Sequence, residues 1–373
     1  MKKLSSAEVK RQNKKRILRY MIRRDTATKP EIAAALQLSL PTVGLIVGEL
    51  LEAGLLCEIG MQASNGGRPA IALQLIENAR LSLGIDITKN HVYFVVVNLR
   101  GEIIAGERQE YEFANLLTYY HGLVQRKREF LKKYGIENDS LVGQSCSMPG
   151  IVSKNQRWLE YSHIFELKTP MRLNISKDIQ YPYMFVNDGT ACCMAECYSE
   201  NMPDSFVYVM LSNTVGGSMV IDKKIVEGKN IRGGEIGHIC LVPGGKKCYC
   251  GRRGHFDAYC SARVLAEQAG GRVETFFARL EEGDSRLAEV FDEYLDMLAL
   301  MVYNLHIFTD LDIVIGGYVG SYLAPYLSQL KEKIIRHNIF DESKEFVFLS
   351  RYREEAAAVG GALHFIEQFI EKL

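Results

Sequence analysis

The sequence predicts an N-terminal winged helix-turn-helix followed by a larger α/β domain, within a chain of 373 residues. Three short helical patterns come first, and two strand patterns joined by a glycine-rich turn follow them. From about residue 80 onwards, apolar β-branched runs alternate with helical patterns, which is typical of an α/β domain. The length also favours more than one domain, because a single core rarely serves so long a chain.

Three predicted helices account for most of the first 53 residues. Residues 14–24 have apolar side chains at helical spacing with Arg and Lys opposite them, so an amphipathic first helix is expected. The second helix begins at Thr28, whose side chain fits a capping box with that of Glu31. The third covers residues 41–53 and ends at Gly54.

A β-hairpin is expected after the third helix. Residues 55–59 and 70–73 are strand patterns, and the tip between them contains Gly66, Gly67 and Arg68. Residues 1–75 carry 12 Lys and Arg against 6 Asp and Glu, although the whole chain has a formal net charge of zero. The N-terminal segment is therefore expected to meet an anion.

Double-stranded DNA is the anion that a winged helix-turn-helix would bind. The third helix would enter the major groove, and Arg68 would reach phosphate or the minor groove from the wing. Gly44 and Leu45 offer few hydrogen-bond donors to bases, which leaves Ser39 and Thr42 as candidate base readers. The basic side chains could instead form a solvated helix face. The residues expected to contact phosphate are Lys14, Lys15, Arg16, Lys29 and Arg68.

Strand and helix patterns alternate through the rest of the chain, as an α/β domain requires. The predicted strands cover residues 83–87, 91–98, 141–147, 183–186, 206–211, 219–221, 312–315 and 346–349. The predicted helices cover residues 115–134, 190–199, 262–269, 287–308, 323–337 and 354–369.

Thiol and imidazole side chains recur at metal-binding spacing between residues 234 and 255. His238 lies in the segment GEIGH, and Cys248, Cys250 and His255 follow in a glycine-rich stretch. Zinc takes four such ligands, so the pattern predicts a zinc site. The alternative is a set of unrelated buried thiols and a core histidine.

The segment GEIGH followed by CxCGxxG resembles the signature of the ROK family, which groups sugar-responsive repressors with sugar kinases. The predicted wing, with its GGRP segment, is similar to that of the family's repressors. In the family the zinc ligands are the His of GEIGH and three Cys, which implies His238, Cys248 and Cys250 here. His255 stands where the family has the last Cys, and Cys260 is a possible substitute.

The resemblance covers almost the whole chain and implies an actin-like ATPase (sugar kinase-like) domain with two α/β lobes around a cleft. Residues 1–75 would then form the winged helix-turn-helix. Residues 76–189 would form the first lobe, to which a C-terminal helix within residues 354–373 returns. Residues 190–353 would form the second lobe, with the zinc site.

The resemblance also implies a set of sugar-binding residues. Asp188 would accept hydrogen bonds from sugar hydroxyls and would be the general base if the protein were a kinase, although it could instead be a helix N-cap. Asp257 stands where the family has a sugar-binding Glu. The full implied set is Pro149, Gly150, Asn187, Asp188, Glu235, His238 and Asp257.

Kinases of the family have a DxGGT segment whose glycines let backbone amides approach ATP phosphates. This chain has Thr88 and Lys89 where those glycines stand, and its second phosphate loop, residues 212–217, keeps only the last two glycines. Residues 315–318 still resemble the adenosine-side turn. We therefore expect a DNA-binding transcriptional repressor, not an enzyme, that binds a sugar effector in a degenerate kinase cleft. The alternative is an ATP-dependent, glucokinase-like sugar kinase of the ROK type with an appended winged helix.

Partners and location follow from these expectations. Operator DNA with two half-sites needs two winged helices, so a homodimer or dimer of dimers is expected. The zinc site would pass the effect of sugar binding to the dimer. We expect a cytoplasmic protein, because no signal peptide or membrane-spanning apolar run is present.

Overall fold

The computed structural model describes residues 5–62, 70–167, 169–171, 179–198, 202–337, 345–353 and 355–373. The predicted wing tip, including Arg68, lies outside these residues.

The N-terminal unit consists of three helices and a three-stranded antiparallel sheet. Helix α1 begins well before the predicted residue 14, because Ser5 and Glu8 form a capping box at its start. The predicted capping box of Thr28 and Glu31 is present at the start of α2. The elements are α1 (Ser6–Ile22), β1 (Ala27–Thr28), α2 (Lys29–Leu36), α3 (Leu40–Glu52), β2 (Leu56–Gln62) and β3 (Ala70–Leu75).

The chain turns by 118° between α2 and α3. This angle is in the range found for helix-turn-helix pairs. Within the described ranges, no single helix is long and apolar enough to cross a membrane; this bent pair would be, by length and composition only.

A five-stranded sheet forms the first lobe, in the order β10-β7-β4-β5-β6. Its strands are β4 (Leu81–Ile87), β5 (His91–Val97), β6 (Ile103–Glu110), β7 (Leu141–Met148) and β10 (Tyr183–Asn187). The other elements are α4 (Leu117–Lys133), which packs on the sheet, the short hairpin β8 (Ile151–Val152) and β9 (Leu159–Tyr161), and α5 (Asp188–Cys197). The predicted lobe boundary at residue 189 falls inside α5.

The second lobe contains another five-stranded sheet, in the order β13-β12-β11-β14-β15. Its strands are β11 (Phe206–Leu211), β12 (Val215–Ile221), β13 (Lys224–Ile225), β14 (Asp312–Gly316) and β15 (Val347–Leu349). Its helices are α6 (Asp257–Cys260), α7 (Ala262–Ala266), α8 (Val273–Glu281), α9 (Ser285–Thr309), α10 (Gly317–Gly320) and α11 (Leu327–Ile335). In each sheet the three strands that come first in the chain pair antiparallel, and the two later strands join in parallel on the other side of the first strand. The lobes therefore repeat one topology, which no sequence repeat indicates.

The last helix, α12 (Ala356–Lys372), packs on β4, β5 and β7 and along α5. Glycines make these contacts close. A Cβ atom at Gly84 would lie 1.8 Å from the Ala358 carbonyl oxygen, and one at Gly360 would lie 1.8 Å from that of Ala191. Any side chain at either position would separate α12 from its neighbours.

Helix α12 also binds α1. Lys15 Nζ lies 2.5 Å from Glu371 Oε2, and the Arg19 guanidinium contacts both Glu367 and Glu371. Apolar side chains of the N-terminal unit share one core with strand β5 and with α12. This core includes Leu18 and Leu73 of the N-terminal unit, Val95 and Val97 of β5, and Ile366 and Ile370 of α12. The N-terminal unit is thus packed onto the first lobe.

These contacts correct the expected role of three basic residues. Lys14 Nζ lies 3.1 Å from Glu49 Oε2, Lys15 pairs with Glu371, and Arg16 donates to the Leu36 carbonyl oxygen at 2.7 Å. The partners of these three basic side chains therefore lie within the chain: two carboxylates and the C-terminal end of α2. Phosphate contacts are therefore not expected from Lys14, Lys15 and Arg16.

Candidate ligand cavity and metal cluster

A cavity of about 410 Å³ lies between the two lobes. The loop after β7, the end of β10, strand β12 and the GEIGH loop form its walls. Six of the seven predicted sugar-binding residues line it: Pro149, Gly150, Asn187, Asp188, Glu235 and His238.

Asn187, not Asp188, is the N-cap of α5. Its Oδ1 accepts a hydrogen bond from the Thr190 backbone N–H at 3.0 Å, and its Nδ2 donates to the Gly150 carbonyl oxygen at 3.0 Å. The alternative that Asp188 is a helix cap is therefore wrong. Since both amide atoms of Asn187 are engaged, this residue positions the Gly150 loop, and the Asp188 carboxylate remains the acceptor at the cavity.

The Asp188 carboxylate accepts one hydrogen bond from the Gly189 N–H at 2.9 Å. Burial raises its pKa to about 6, and the nearby Glu235 carboxylate contributes to the increase. At neutral pH the group is mostly ionised, and a carboxylate is a strong acceptor for hydroxyl groups.

Two glycines place the GEIGH loop against β12. A Cβ atom at Gly234, whose φ is +92°, would lie 2.3 Å from the Gly217 carbonyl oxygen, and one at Gly237 would lie 2.1 Å from that of Val215. His238 Nε2 then faces Glu235, at 3.9 Å from its Oε2. The other ring nitrogen, Nδ1, faces away towards His255.

The four predicted metal ligands lie together. One donor atom from each of His238, Cys248, Cys250 and His255 lies within 4.8 Å of all the others. His255 Nδ1 is 3.4 Å from His238 Nδ1 and 3.3 Å from Cys250 Sγ. A tetrahedral site with bonds of about 2.0–2.3 Å has donor separations of about 3.3–3.8 Å. The donor set and its spacing therefore fit a metal ion.

Cys260 lies apart from this cluster. Its side chain is fully buried in the core of the second lobe, with Sγ 3.8 Å from the Tyr294 carbonyl oxygen. It does not replace His255 in the donor set.

Asp257 is buried and does not line the cavity. Its Oδ2 accepts from the Val215 N–H at 2.7 Å, and its Oδ1 accepts from Arg263 at 2.9 Å. The prediction that Asp257 contacts the sugar is therefore wrong, because both of its carboxylate oxygens are bound by groups behind the cavity wall. Asp257 instead fixes the start of β12.

Tyr249 is a cavity residue that the sequence did not single out. Its hydroxyl lies 3.2 Å from His238 Nε2, and its ring centroid is 5.1 Å from that of His163. The sequence does contain a signal for Tyr249. It stands between Cys248 and Cys250, so if both thiols point to the same metal ion, the Tyr249 side chain is expected to point away from that ion. Other cavity residues missed from the sequence include His163, Met194, Met210 and Arg232.

The turn that carries phosphate-binding glycines in the family's kinases is closed by its own hydrogen bonds. The Thr88 N–H donates to the His91 carbonyl oxygen at 2.9 Å. The Lys89 and Asn90 carbonyl oxygens accept from the Phe113 and Tyr111 N–H groups at 2.8 and 2.9 Å. This turn therefore packs against the chain after β6.

Packing accounts for the glycines of the adenosine-side turn. A Cβ atom at Gly316 would lie 2.1 Å from the Tyr208 hydroxyl. At Gly317, whose φ is +79°, it would lie 2.7 Å from the Leu211 nitrogen. These glycines are needed for contact with β11 and do not argue for a nucleotide.

Comparisons with known proteins agree with this geometry. A putative xylose repressor of Caldicellulosiruptor sp. is 24% identical over 386 aligned residues, covering 95% of each chain. An N-acetylmannosamine kinase of Salmonella arizonae is 34% identical over 194 residues, covering 49% of this chain and 64% of that one.

A solved structure shares the fold along nearly the whole chain. It is a ROK family transcriptional regulator described as a homologue of the Escherichia coli MLC protein, with a TM-score of 0.76, 20% identity and coverage of 97% of both chains. The ROK family model itself matches residues 82–368. With the cavity, the GEIGH loop and the donor cluster all inside that range, the chain belongs to the ROK family.

Proposed function

We propose that this chain is a sugar-responsive, DNA-binding transcriptional repressor without kinase activity. The observation that carries the proposal is a cavity with a carboxylate at the start of α5, present in a chain that has Thr88 and Lys89 where the kinases of the family have phosphate-binding glycines. Relatives named as repressors over nearly the full length support it.

Sugar binding would rest on a few polar groups in a partly apolar cavity. Asp188 and Glu235 would accept hydrogen bonds from hydroxyl groups, and the backbone at Gly150 would approach the ring closely. Gly150 has a φ of +139°, and a Cβ atom there would lie 2.4 Å from the Tyr161 carbonyl oxygen. Tyr249 adds an aromatic face and a hydroxyl, a combination that suits a ligand with both apolar and polar sides.

We assign zinc to the donor cluster of His238, Cys248, Cys250 and His255. Two thiolates and two imidazoles make a closed structural site, so the ion would fix the loop and supply no open coordination position. With Nδ1 of His238 on the metal, its Nε2 would be held towards Tyr249 and the cavity.

The N-terminal unit would be a winged helix-turn-helix with α3 in the major groove. Lys29 begins α2 and would meet phosphate, and Arg68 on the wing is assigned the same role from the sequence alone. Two half-sites would require two chains, so we propose a homodimer or a dimer of dimers.

Helix α12 offers a route from the cavity to the DNA-binding unit. Helix α5 begins at Asp188 and packs along α12 at Gly360, and α12 binds α1 through Glu371. A shift of α5 on sugar binding would move α12, because at Gly360 the backbones of the two helices are in direct contact. The sequence predicts a second route, in which the metal cluster passes the effect of sugar binding to the partner chain of the dimer.

DNA binding of the full-length protein tests the proposal. We expect it to bind a 30-base-pair duplex pool of random sequence, with affinity that falls steeply as salt rises. Lys29→Gln should reduce the slope of log affinity against log salt by about 1 for each bound chain, and so by about 2 for a dimer on two half-sites, through the loss of one phosphate contact per chain. Fluorescence anisotropy at several salt concentrations measures both quantities.

Lys223→Gln is the matched control, because Lys223 pairs with Asp204 on the second lobe. An equal loss in both variants would contradict the assignment of Lys29. Removing residues 1–75 is a poorer test, since it would expose the core that these residues share with α12.

The second candidate function, sugar kinase, is favoured by Asp188 at the position of a general base and by the N-acetylmannosamine kinase among the relatives. Because Thr88 and Lys89 add side chains where the kinases have phosphate-approach glycines, we expect no ATP-dependent phosphorylation of hexoses, pentoses or their amino derivatives. A coupled assay for ADP release checks this, and turnover in the usual kinase range of roughly 1–100 per second would overturn the repressor assignment.

A further inference from the structure

The exposed side chains in the first half of α3 are apolar, and the helix contains two glycines. Leu40 and Leu45 are 53% and 59% exposed. An added Cβ atom at Gly44 or Gly48 would meet nothing within 4 Å. The helix contains no Lys or Arg, so it presents leucine side chains and bare backbone where a recognition helix usually presents hydrogen-bond donors.

The two hydroxyl groups expected to read bases are engaged with each other. Ser39 Oγ lies 2.7 Å from Thr42 Oγ1 and accepts from the Thr42 N–H at 3.3 Å as the N-cap of α3. Their capacity to discriminate bases is reduced accordingly. The main contacts available to this face are therefore apolar.

Only one base carries an apolar group in the major groove, because the C5-methyl of thymine is unique there. Resting on the proposed DNA-binding function, we propose that α3 selects operators mainly through thymine methyl groups. Leu45 and Leu40 make the contacts, and Gly44 lets the helix backbone approach the base edges.

Duplex DNA fits this face better than a second protein chain. The face belongs to the second helix of the pair α2 and α3, which are joined by a turn of 118°, so it is part of the proposed DNA-binding unit. The acidic residues of α3 are Glu52 at its end and Glu49 one turn earlier, and Lys10 and Lys14 of α1 both pair with Glu49. Its charge is thereby neutralised, which removes a repulsion that phosphate would otherwise meet.

The test replaces thymine by uracil, which lacks only the methyl group. Full-length protein first selects binders from a duplex pool with a randomised 30-base-pair centre. The selected pool is then amplified with either dTTP or dUTP, and affinities are compared. Loss of one buried methyl group is expected to weaken binding about fourfold, so two half-sites together should give a loss of more than about tenfold.

Leu45→Ala should bind the thymine pool more weakly and should distinguish the two pools less than the wild type does, because Leu40 remains. Phe308→Ala is the control, since Phe308 is 88% exposed on α9, far from α3 in sequence. Thermal denaturation confirms that both variants are folded.

Any other outcome overturns either this inference or the proposed function. Equal affinity of the wild-type protein for both pools overturns this inference and leaves DNA binding intact. Absence of binding to any duplex overturns the proposed function itself. Loss of self-association in Leu45→Ala, with unchanged DNA affinity, assigns the face to a second copy of the chain and also overturns the inference.

Discussion

Cys248→Ser is expected to release the metal ion, disorder the loop from residue 238 to residue 255 and abolish sugar binding. Cys248 is buried, and its thiolate would be one of four ligands in a closed site. Structural zinc contributes about 10–16 kcal/mol of apparent binding free energy in small domains, so loss of a ligand has a large effect. His238 and Tyr249 would lose their positions at the cavity at the same time.

Metal analysis of the purified protein measures the first effect, and X-ray absorption identifies the ligands. We expect one zinc per chain, with two sulfur neighbours at about 2.3 Å and two nitrogen neighbours at about 2.0–2.1 Å. Cys240→Ser is the matched control, because Cys240 is an exposed thiol outside the donor set. Well-folded wild-type protein without metal, or a spectrum with three sulfur neighbours, would contradict the assignment.

Asp188→Asn is expected to lower sugar affinity by roughly ten- to hundredfold while leaving the fold intact. The substitution replaces a charged acceptor by an amide, and loss of a charge-assisted hydrogen bond is worth about 1.5–3 kcal/mol. Calorimetry identifies the sugar first, from a panel of hexoses, pentoses and their amino and phosphorylated derivatives. It then compares the variant with Asp204→Asn, a surface control.

The pH dependence of affinity provides a second signature of Asp188. Burial raises the pKa of this carboxyl to about 6. Protonation removes the charged acceptor, so wild-type affinity should fall as pH decreases from 7 to 5, and Asp188→Asn should lose this dependence. A carboxyl whose pKa is raised by folding costs stability once ionised, so the variant should be at least as stable as the wild type at pH 7. Unchanged affinity would make Asp188 a structural residue.

Local chemistry explains what could be predicted from the sequence. The capping box of Thr28 and Glu31 and the donor cluster depend on short spacings, and both are present. Strand β6 was missed because only Ala105 of its residues is buried, so the strand shows no apolar pattern. Edge strands of this kind carry little signal.

Contacts between distant segments explain what could not be predicted. The basic residues of α1 have the composition of a DNA-binding helix, yet Lys15 meets Glu371 at the other end of the chain. Likewise, Asp257 occupies the position of a sugar-binding residue, but Arg263 and the Val215 N–H bind both its oxygens. In each case the partner is fixed by tertiary packing, which residue spacing does not encode.

The core shared by the first and last helices limits how such proteins can be recombined. A chimaera that joins the N-terminal unit of one regulator to the ligand-binding lobes of another would bring together an α1 and an α12 that were never matched. Glu367 and Glu371 would face foreign side chains, and Ile366 and Ile370 would meet a foreign core. New operator specificity is therefore more readily obtained by changing the outer face of α3 than by exchanging the whole unit, because Leu40 and Leu45 on that face are largely exposed.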